Sequence, residues 1–246
     1  MQLTVTKNYG LTSNVYFMQL TGDTRQITKP GQFVQLQLPT FYLRRPISVC
    51  DYVQGENGTL DLIYKVVGKG TEYMATLPVG FSLDVLMGLG NGYDVSADCQ
   101  TPVLVGGGVG VPPLYALAKA LLKAGKTPSV VLGFNTKEEV FYKEAFEALG
   151  VPVTVTTVDG TEGLKGYVTN ALPKINYDYA FSCGPEPMLK ALYNVASEHK
   201  VSGQYSFEER MACGFGACMG CSCKTKYGAK RICKDGPILL AEEIIW

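Results

Sequence analysis

The chain has 246 residues, 46% hydrophobic and 18% charged, with 22 basic side chains balancing 22 acidic ones. A zero net charge with no basic run gives nucleic acid no electrostatic footprint, and no apolar stretch reaches the roughly 18–20 residues needed to cross a bilayer. The single histidine, His199, reads as a solvated helix end between Glu198 and Lys200, so Ser–His and His–metal hydrolases are excluded and cofactors are left to carry the chemistry.

The length suits two domains and a short module, divided here as 1–97, 98–203 and 204–246. The first part alternates apolar and polar residues over Gln2–Thr6, Val15–Leu20, Gln32–Leu38, Ile47–Asp51, Thr59–Val66 and Phe81–Leu86. Turns at Lys29-Pro30-Gly31, Glu56-Asn57-Gly58 and Pro78-Val79-Gly80 separate these runs, and the pattern predicts a small β-barrel. Arg44-Arg45-Pro46-Ile47-Ser48 stands beside a strand, where a guanidinium and a nearby hydroxyl suit a phosphate. The strand Leu62-Ile63-Tyr64-Lys65-Val66-Val67 then runs into Gly68-Lys69-Gly70-Thr71. The amides of that turn, with a helix predicted to start at Thr71, suit a pyrophosphate.

From Thr101 the period changes. Thr101–Val105 is a buried-strand run, Gly106-Gly107-Gly108-Val109-Gly110-Val111-Pro112-Pro113 a glycine-rich turn, and Leu114–Lys123 a helix. Strand, turn and helix make a phosphate-binding βα unit, with Gly106, Gly107, Gly108, Gly110 and Pro112 as its cofactor-facing residues. Proline is allowed in the first helical turn. Strands are predicted at Ser129–Phe134, Pro152–Val158 and Tyr179–Cys183, and helices at Lys137–Leu149, within Gly163–Leu172, and at Leu189–His199. This alternation predicts a doubly wound α/β sheet. The residues after Phe134, Asn135-Thr136-Lys137-Glu138-Glu139, hold two acids and no arginine, which points to NAD rather than NADP.

The last part concentrates cysteine. Cys213, Cys218, Cys221 and Cys233 give Cys-x4-Cys-x2-Cys and a later fourth thiol, the plant-type [2Fe–2S] spacing. Glycines in Cys213-Gly214-Phe215-Gly216-Ala217-Cys218 let backbone amides turn toward sulfur. A hairpin over 222–232 would return Cys233 to the site, and Cys223 is the spare thiol. A structural zinc is the competing use of four thiolates, although zinc sites usually pair two Cys-x2-Cys units. Disulfides fit poorly: no leader is expected, and Cys50, Cys99 and Cys183 are scattered like the thiols of a reducing, cytoplasmic compartment.

The Arg-x-x-Ser and Gly-x-Gly-Thr pair, the Gly-x-Gly-x-x-Pro turn and Cys183-Gly184-Pro185-x-x-Met188 resemble the ferredoxin–NADP reductase superfamily. The resemblance implies FAD on the barrel, held by Arg45, Pro46, Ile47, Ser48, Tyr64, Lys65, Gly70 and Thr71. It also implies NAD at the glycine-rich turn, with Gly184 and Pro185 beside the nicotinamide and Cys183 in contact with it. The order barrel, nucleotide domain, cluster module, with Phe207-Glu208-Glu209-Arg210-Met211-Ala212 leading into the first ligand, is similar to the electron-transfer subunit of class 1B dihydroorotate dehydrogenase over nearly the whole chain. That family implies an FMN-containing catalytic partner in a heterotetramer of two catalytic and two electron-transfer subunits. Electrons would run from dihydroorotate through the cluster and FAD to NAD⁺ in pyrimidine (UMP) synthesis. An apolar face at Phe215, Ala217 and Met219 would dock the partner. An NAD(P)H:ferredoxin or sulfide dehydrogenase subunit shares the architecture, and a non-enzymatic redox sensor would need no nicotinamide turn.

Overall fold

The computed structural model describes all residues, Met1–Trp246. Six antiparallel strands, β1 (Gln2–Gly10), β2 (Val15–Gly22), β3 (Phe33–Gln37), β4 (Arg45–Val53), β5 (Gly58–Lys65) and β6 (Ser82–Leu89), close in the order β1-β2-β5-β4-β3-β6. Alternation fixes the faces. Leu3, Val5, Met18, Leu20, Val34, Leu36, Leu60, Leu62, Leu83 and Val85 fill the interior. The short helix α1 (Lys69–Ala75) follows β5 and begins two residues before the predicted start.

The second unit is a seven-stranded sheet. It takes β7 (Pro102–Gly107), β8 (Ser129–Phe134), β9 (Val153–Thr157), β10 (Leu164–Lys165), β11 (Tyr179–Cys183), β12 (Gly203–Ser206) and the later strand Ile238–Leu240, in the order β10-β9-β8-β7-β11-β12 and then that strand. All pairs are parallel except the last. The segment 204–246 thus gives most of β12 and the whole edge strand to this sheet, a contribution with no signal in the spacing of its cysteines. Helix α2 (Pro113–Lys123) buries Leu114, Leu117, Ala118 and Leu121 at the i, i+3, i+4, i+7 spacing of one helical face.

One predicted helix is not continuous. Residues Lys137–Glu139 form a 3₁₀ turn, Tyr142 is left-handed at φ 66°, and only Lys143–Glu147 is α-helical, here α3. Phe141 packs against Phe134 with centroids 5.4 Å apart and Tyr142 against Tyr115 at 5.2 Å. Tyr142 is half-buried, and its left-handed backbone ends the run between the 3₁₀ turn and α3. The helix expected within Gly163–Leu172 is likewise β10 followed by 3₁₀ turns at Val168–Asn170 and Leu172–Lys174. Helix α4 (Glu186–Glu198) starts three residues before its expected position, directly after Pro185.

The barrel and sheet share a core. Val15, Phe17, Cys50 and Ile63 pack with Val111, Leu114, Leu117 and Phe181, and Lys119 on α2 binds Asp51 on β4 at 2.6 Å. The C-terminal module adds β13 (Ser222–Thr225), β14 (Gly228–Arg231), α5 (Ile232–Asp235) and β15 (Ile238–Leu240). It docks on the outer face of the barrel, where Phe33 and Leu89 join Cys221, Ile232 and Cys233 in one apolar cluster. Asn91 pins it by accepting from the Ile238 amide at 3.1 Å and donating to the Ile238 carbonyl at 2.8 Å.

Candidate functional site

A cleft of about 980 Å³ runs along the seam of all three parts, at the upper end of the range for small-molecule sites. From the barrel come Arg45, Pro46, Ile47, Ser48, Ile63, Tyr64, Lys65 and Thr71. The sheet supplies Gly107, Gly108, Gly110, Cys183, Gly184 and Pro185. Antiparallel β3–β4 pairing and the parallel β7–β11 register, with Cys183 opposite Gly106, bring these distant segments to one place.

The twin arginines have different tasks. Arg44 donates to Asp84 Oδ2 at 2.7 Å and to the Asp84 carbonyl at 3.1 Å, clamping β4 to β6. Arg45 has no carboxylate within ion-pair reach; it lies 5.0 Å over the Phe41 ring and donates to the Leu43 carbonyl. It is the one arginine lining the cleft, an unpaired cation suited to an anionic cofactor. Gly70 stays outside the cleft but lets Arg45 lie there: a Cβ on it would sit 2.1 Å from Arg45 Nε. Thr71 uses its hydroxyl within the turn, accepting from the Val67 amide at 2.9 Å.

Leu62, Gly106 and Pro112 also lie outside the cleft. Leu62 points into the barrel core, and Pro112 caps α2. Gly106 is buried where a Cβ would meet Val111 and Leu114 at 3.0 Å. Tyr64 is almost wholly buried, its hydroxyl bonded to Asn8 at 3.2 Å. Gly110 crosses the end of β11 so closely that a Cβ would come within 2.2 Å of the Cys183 carbonyl oxygen. Burial pushes the Cys183 thiol up to about 12, and the Glu208 carboxylate adds to that, against a hydrogen bond with the Ser206 side chain. At neutral pH Cys183 is therefore an uncharged thiol, suited to contact rather than nucleophilic attack.

Several lining residues escaped the sequence analysis. Ser206, Phe207, Glu208, Glu209 and Met211 carry the cleft wall toward the first cysteine. All but Ser206 lie in the Phe207–Ala212 run that carries the family resemblance, which assigned them no site role. At the far end Glu139 lines the cleft, accepting from the Asn135 amide at 3.2 Å and side chain at 2.9 Å.

Beyond Met211 the four thiols pair two by two. The Cys218 amide donates to Cys213 Sγ at 3.4 Å, and the Cys233 amide to Cys221 Sγ at 3.4 Å. The β13–β14 hairpin closes with the Ile232 amide on the Cys221 carbonyl at 3.0 Å, which returns Cys233 to the site. No three metal-ligating side chains gather closely enough for a single ion. Two thiol pairs suit a two-iron cluster with two thiolates on each iron. Left-handed Gly214 (φ 80°) and Gly216 (φ 89°) turn amides inward. Burial opposes ionisation of Cys213, but the amides of Cys218, Phe215 and Ala217 and the Cys218 thiol outweigh it and bring the thiol down to about 6. Burial and the Cys221 thiol push Cys233 up to about 12; iron coordination removes such protons. Cys223 stands outside both pairs, its thiol turned to the Lys224 carbonyl at 3.5 Å.

Comparisons with known proteins agree with this layout. Residues 208–245 match the model of the iron–sulfur cluster binding domain of dihydroorotate dehydrogenase B, and residues 104–193 the oxidoreductase NAD-binding domain. The chain is 44% identical to the dihydroorotate dehydrogenase B (NAD(+)) electron transfer subunit of Fusobacterium nucleatum subsp. nucleatum, with 98% of this chain and 96% of that one covered. It is also 44% identical to the protein of the same name from Bacillus pumilus, with the same coverage. A solved structure of an NADH-dependent reduced ferredoxin–NADP oxidoreductase, described in the context of flavin-based electron bifurcation, superposes with a TM-score of 0.91 at 32% identity, covering 99% of this chain and 90% of that one. The ferredoxin NADP⁺ reductase of Neisseria gonorrhoeae, with a TM-score of 0.69 at 16% identity over 80% of this chain and 90% of that one, shares the fold. The chain belongs to the dihydroorotate dehydrogenase B electron transfer subunit family, an oxidoreductase component with the ferredoxin reductase fold.

Proposed function

We propose, from that membership, that this chain takes electrons from an FMN-containing dihydroorotate dehydrogenase subunit and delivers them to NAD⁺ in cytoplasmic pyrimidine (UMP) synthesis. Its own groups are a [2Fe–2S] cluster and FAD, and its assembly is two catalytic with two electron-transfer subunits. Dihydroorotate gives up two electrons and two protons as it becomes orotate; NAD⁺ takes both electrons and one proton as hydride, and the other proton goes to solvent. When bound, the cluster passes single electrons and the flavin converts them in pairs to hydride.

The observation that carries this reading is one cleft with walls from all three parts of the chain, whose wall reaches Met211, two residues before the first of the paired thiols. Arg45 would hold the FAD pyrophosphate, with Ser48 beside it and Ile47, Ile63 and Lys65 along the flavin. Gly107, Gly108 and Gly110 would let the NAD phosphates approach the backbone, and Cys183, Gly184 and Pro185 would set the nicotinamide against the flavin. Glu139 favours NAD by presenting a hydroxyl acceptor and a charge that repels a 2′-phosphate. Cys218, Phe215, Ala217 and Met219 are exposed at the rim, while Cys221 and Cys233 are buried. That leaves one corner of the cage open to a docking partner.

The full-length likeness to the ferredoxin–NADP oxidoreductase supports a second reading, a ferredoxin-linked subunit. The higher identity to dihydroorotate dehydrogenase subunits favours the first. Co-expression with an FMN-containing dihydroorotate dehydrogenase subunit separates them. NAD⁺ reduction driven by dihydroorotate only in the joint complex supports the proposal. A flavin- and iron-containing chain that forms no such complex moves the assignment to the ferredoxin-linked relatives.

A further inference from the structure

Gln35 is fully buried, and neither the nitrogen nor the oxygen of its side-chain amide has a hydrogen-bond partner. No other buried side chain leaves two polar atoms unpartnered. The backbone explains where it points. Along β3, Val34 and Leu36 enter the barrel core, so Phe33 and Gln35 face outward. Outward lies the cysteine module. Phe33 packs with Cys221, Ile232 and Cys233. Gly214, next to Cys213, lies on the Gln35 amide so closely that a Cβ there would be 2.5 Å from Gln35 Cδ and 2.6 Å from both amide heavy atoms.

A buried polar group without a partner costs about 1–3 kcal/mol, and a leucine or methionine would fill the same space at no such cost. An amide kept dry against the cage points to an acceptor that the chain's own atoms do not supply. Gln35 is also placed to act on two sites together, because it lies opposite Pro46 in the β3–β4 register, within the Arg45–Ser48 strip.

We propose that Gln35 is a positioning residue for the iron–sulfur cluster: its amide donates a hydrogen bond to a sulfide of the bound cluster. This inference rests on the [2Fe–2S] reading of the four thiols. The bond fixes the Cys213–Cys218 loop against the strand beside the flavin strip. It also stabilises the reduced, more negative cluster, because a donor to sulfur draws off charge.

The test is redox titration and electron paramagnetic resonance of the full chain carrying FAD and cluster, wild type against Gln35→Leu. The expected result is a lower cluster potential, shifted resonance of the reduced cluster and faster loss of iron to a chelator, with flavin content unchanged. Gln35→Glu keeps the shape and should make the potential pH-dependent, falling further once the carboxyl ionises. Gln35→Met serves if the leucine variant does not fold. Wild-type potential and resonance in a fully loaded Gln35→Leu or Gln35→Met protein would overturn the inference. A wild-type chain with no iron–sulfur absorption would instead overturn the cluster reading beneath it.

Discussion

Arg45→Ala, set against Arg44→Ala, separates a cofactor ligand from a structural clamp one residue away. Arg45 carries a cation with no carboxylate partner into the cleft. A hydrogen bond to a charged group is worth about 1.5–3 kcal/mol. At about 1.4 kcal/mol per tenfold, losing it should weaken FAD binding on the order of 10- to 150-fold. Arg44 instead pairs with Asp84 at 2.7 Å, where the side chains are 25% and 40% exposed. Solvent screening limits that pair to about 0–1 kcal/mol. Arg44→Ala should therefore lower the unfolding midpoint slightly and leave FAD affinity near wild type. Gly70→Ala should resemble Arg45→Ala in a milder form, since its new Cβ would displace the guanidinium rather than remove it. Titration of deflavinated protein with FAD, followed by flavin fluorescence, measures all three. Wild-type affinity in Arg45→Ala, or an equal loss in Arg44→Ala, would refute the assignment.

Gly110→Ala places a methyl 2.2 Å from the Cys183 carbonyl oxygen and 2.6 Å from Gly184 Cα, with backbone on that side and no flexible atom to yield. Overpacking of this kind costs about 1–3 kcal/mol. Flavin reduction by NADH, followed by stopped flow, should slow by roughly 10- to 100-fold through misplacement, with flavin and cluster spectra intact. Cys218→Ser should lose the cluster and keep FAD, because the residue is exposed and outside the cleft; an unchanged cluster absorption would show the ligand set to be wrong. Burial raises the Cys183 thiol above its ordinary 9.0 to about 12, and burial also raises Cys50. A raised folded value means stability that is complete below about pH 9 and is lost as pH climbs toward 12. Thermal unfolding between pH 8 and 11 should show the midpoint falling on the alkaline side, and a flat profile there would contradict the neutral state of these thiols.

Much of the layout was legible because local chemistry and long-range geometry coincide in it. Alternation marks the barrel strands, a strand–glycine–helix run marks the turn before α2, and cysteine spacing singles out the four thiols that the fold brings together in pairs. Other features depend on contacts that spacing does not encode. The predicted helix over 137–149 breaks where Phe141 packs on Phe134 and the left-handed Tyr142 packs on Tyr115. The strands β12 and β15 are too short, at four and three residues, to carry a period. Glu208 and Glu209 look like any acidic pair until β12 carries them along the cleft.

The cysteine pairs show the same division in a single site. Spacing places Cys213, Cys218 and Cys221 in one loop, but it does not say which thiols belong together. The pairing follows from two independent closures. The first is the left-handed turn through Gly214 and Gly216, which folds Cys213 against Cys218. The second is the hairpin, which lays Cys233 against Cys221. The second pair is rooted in the apolar cluster with Phe33, and the first rests its Gly214 on Gln35. Both therefore take their position from the outer face of β3, one strand from the Arg45–Ser48 wall of the cleft.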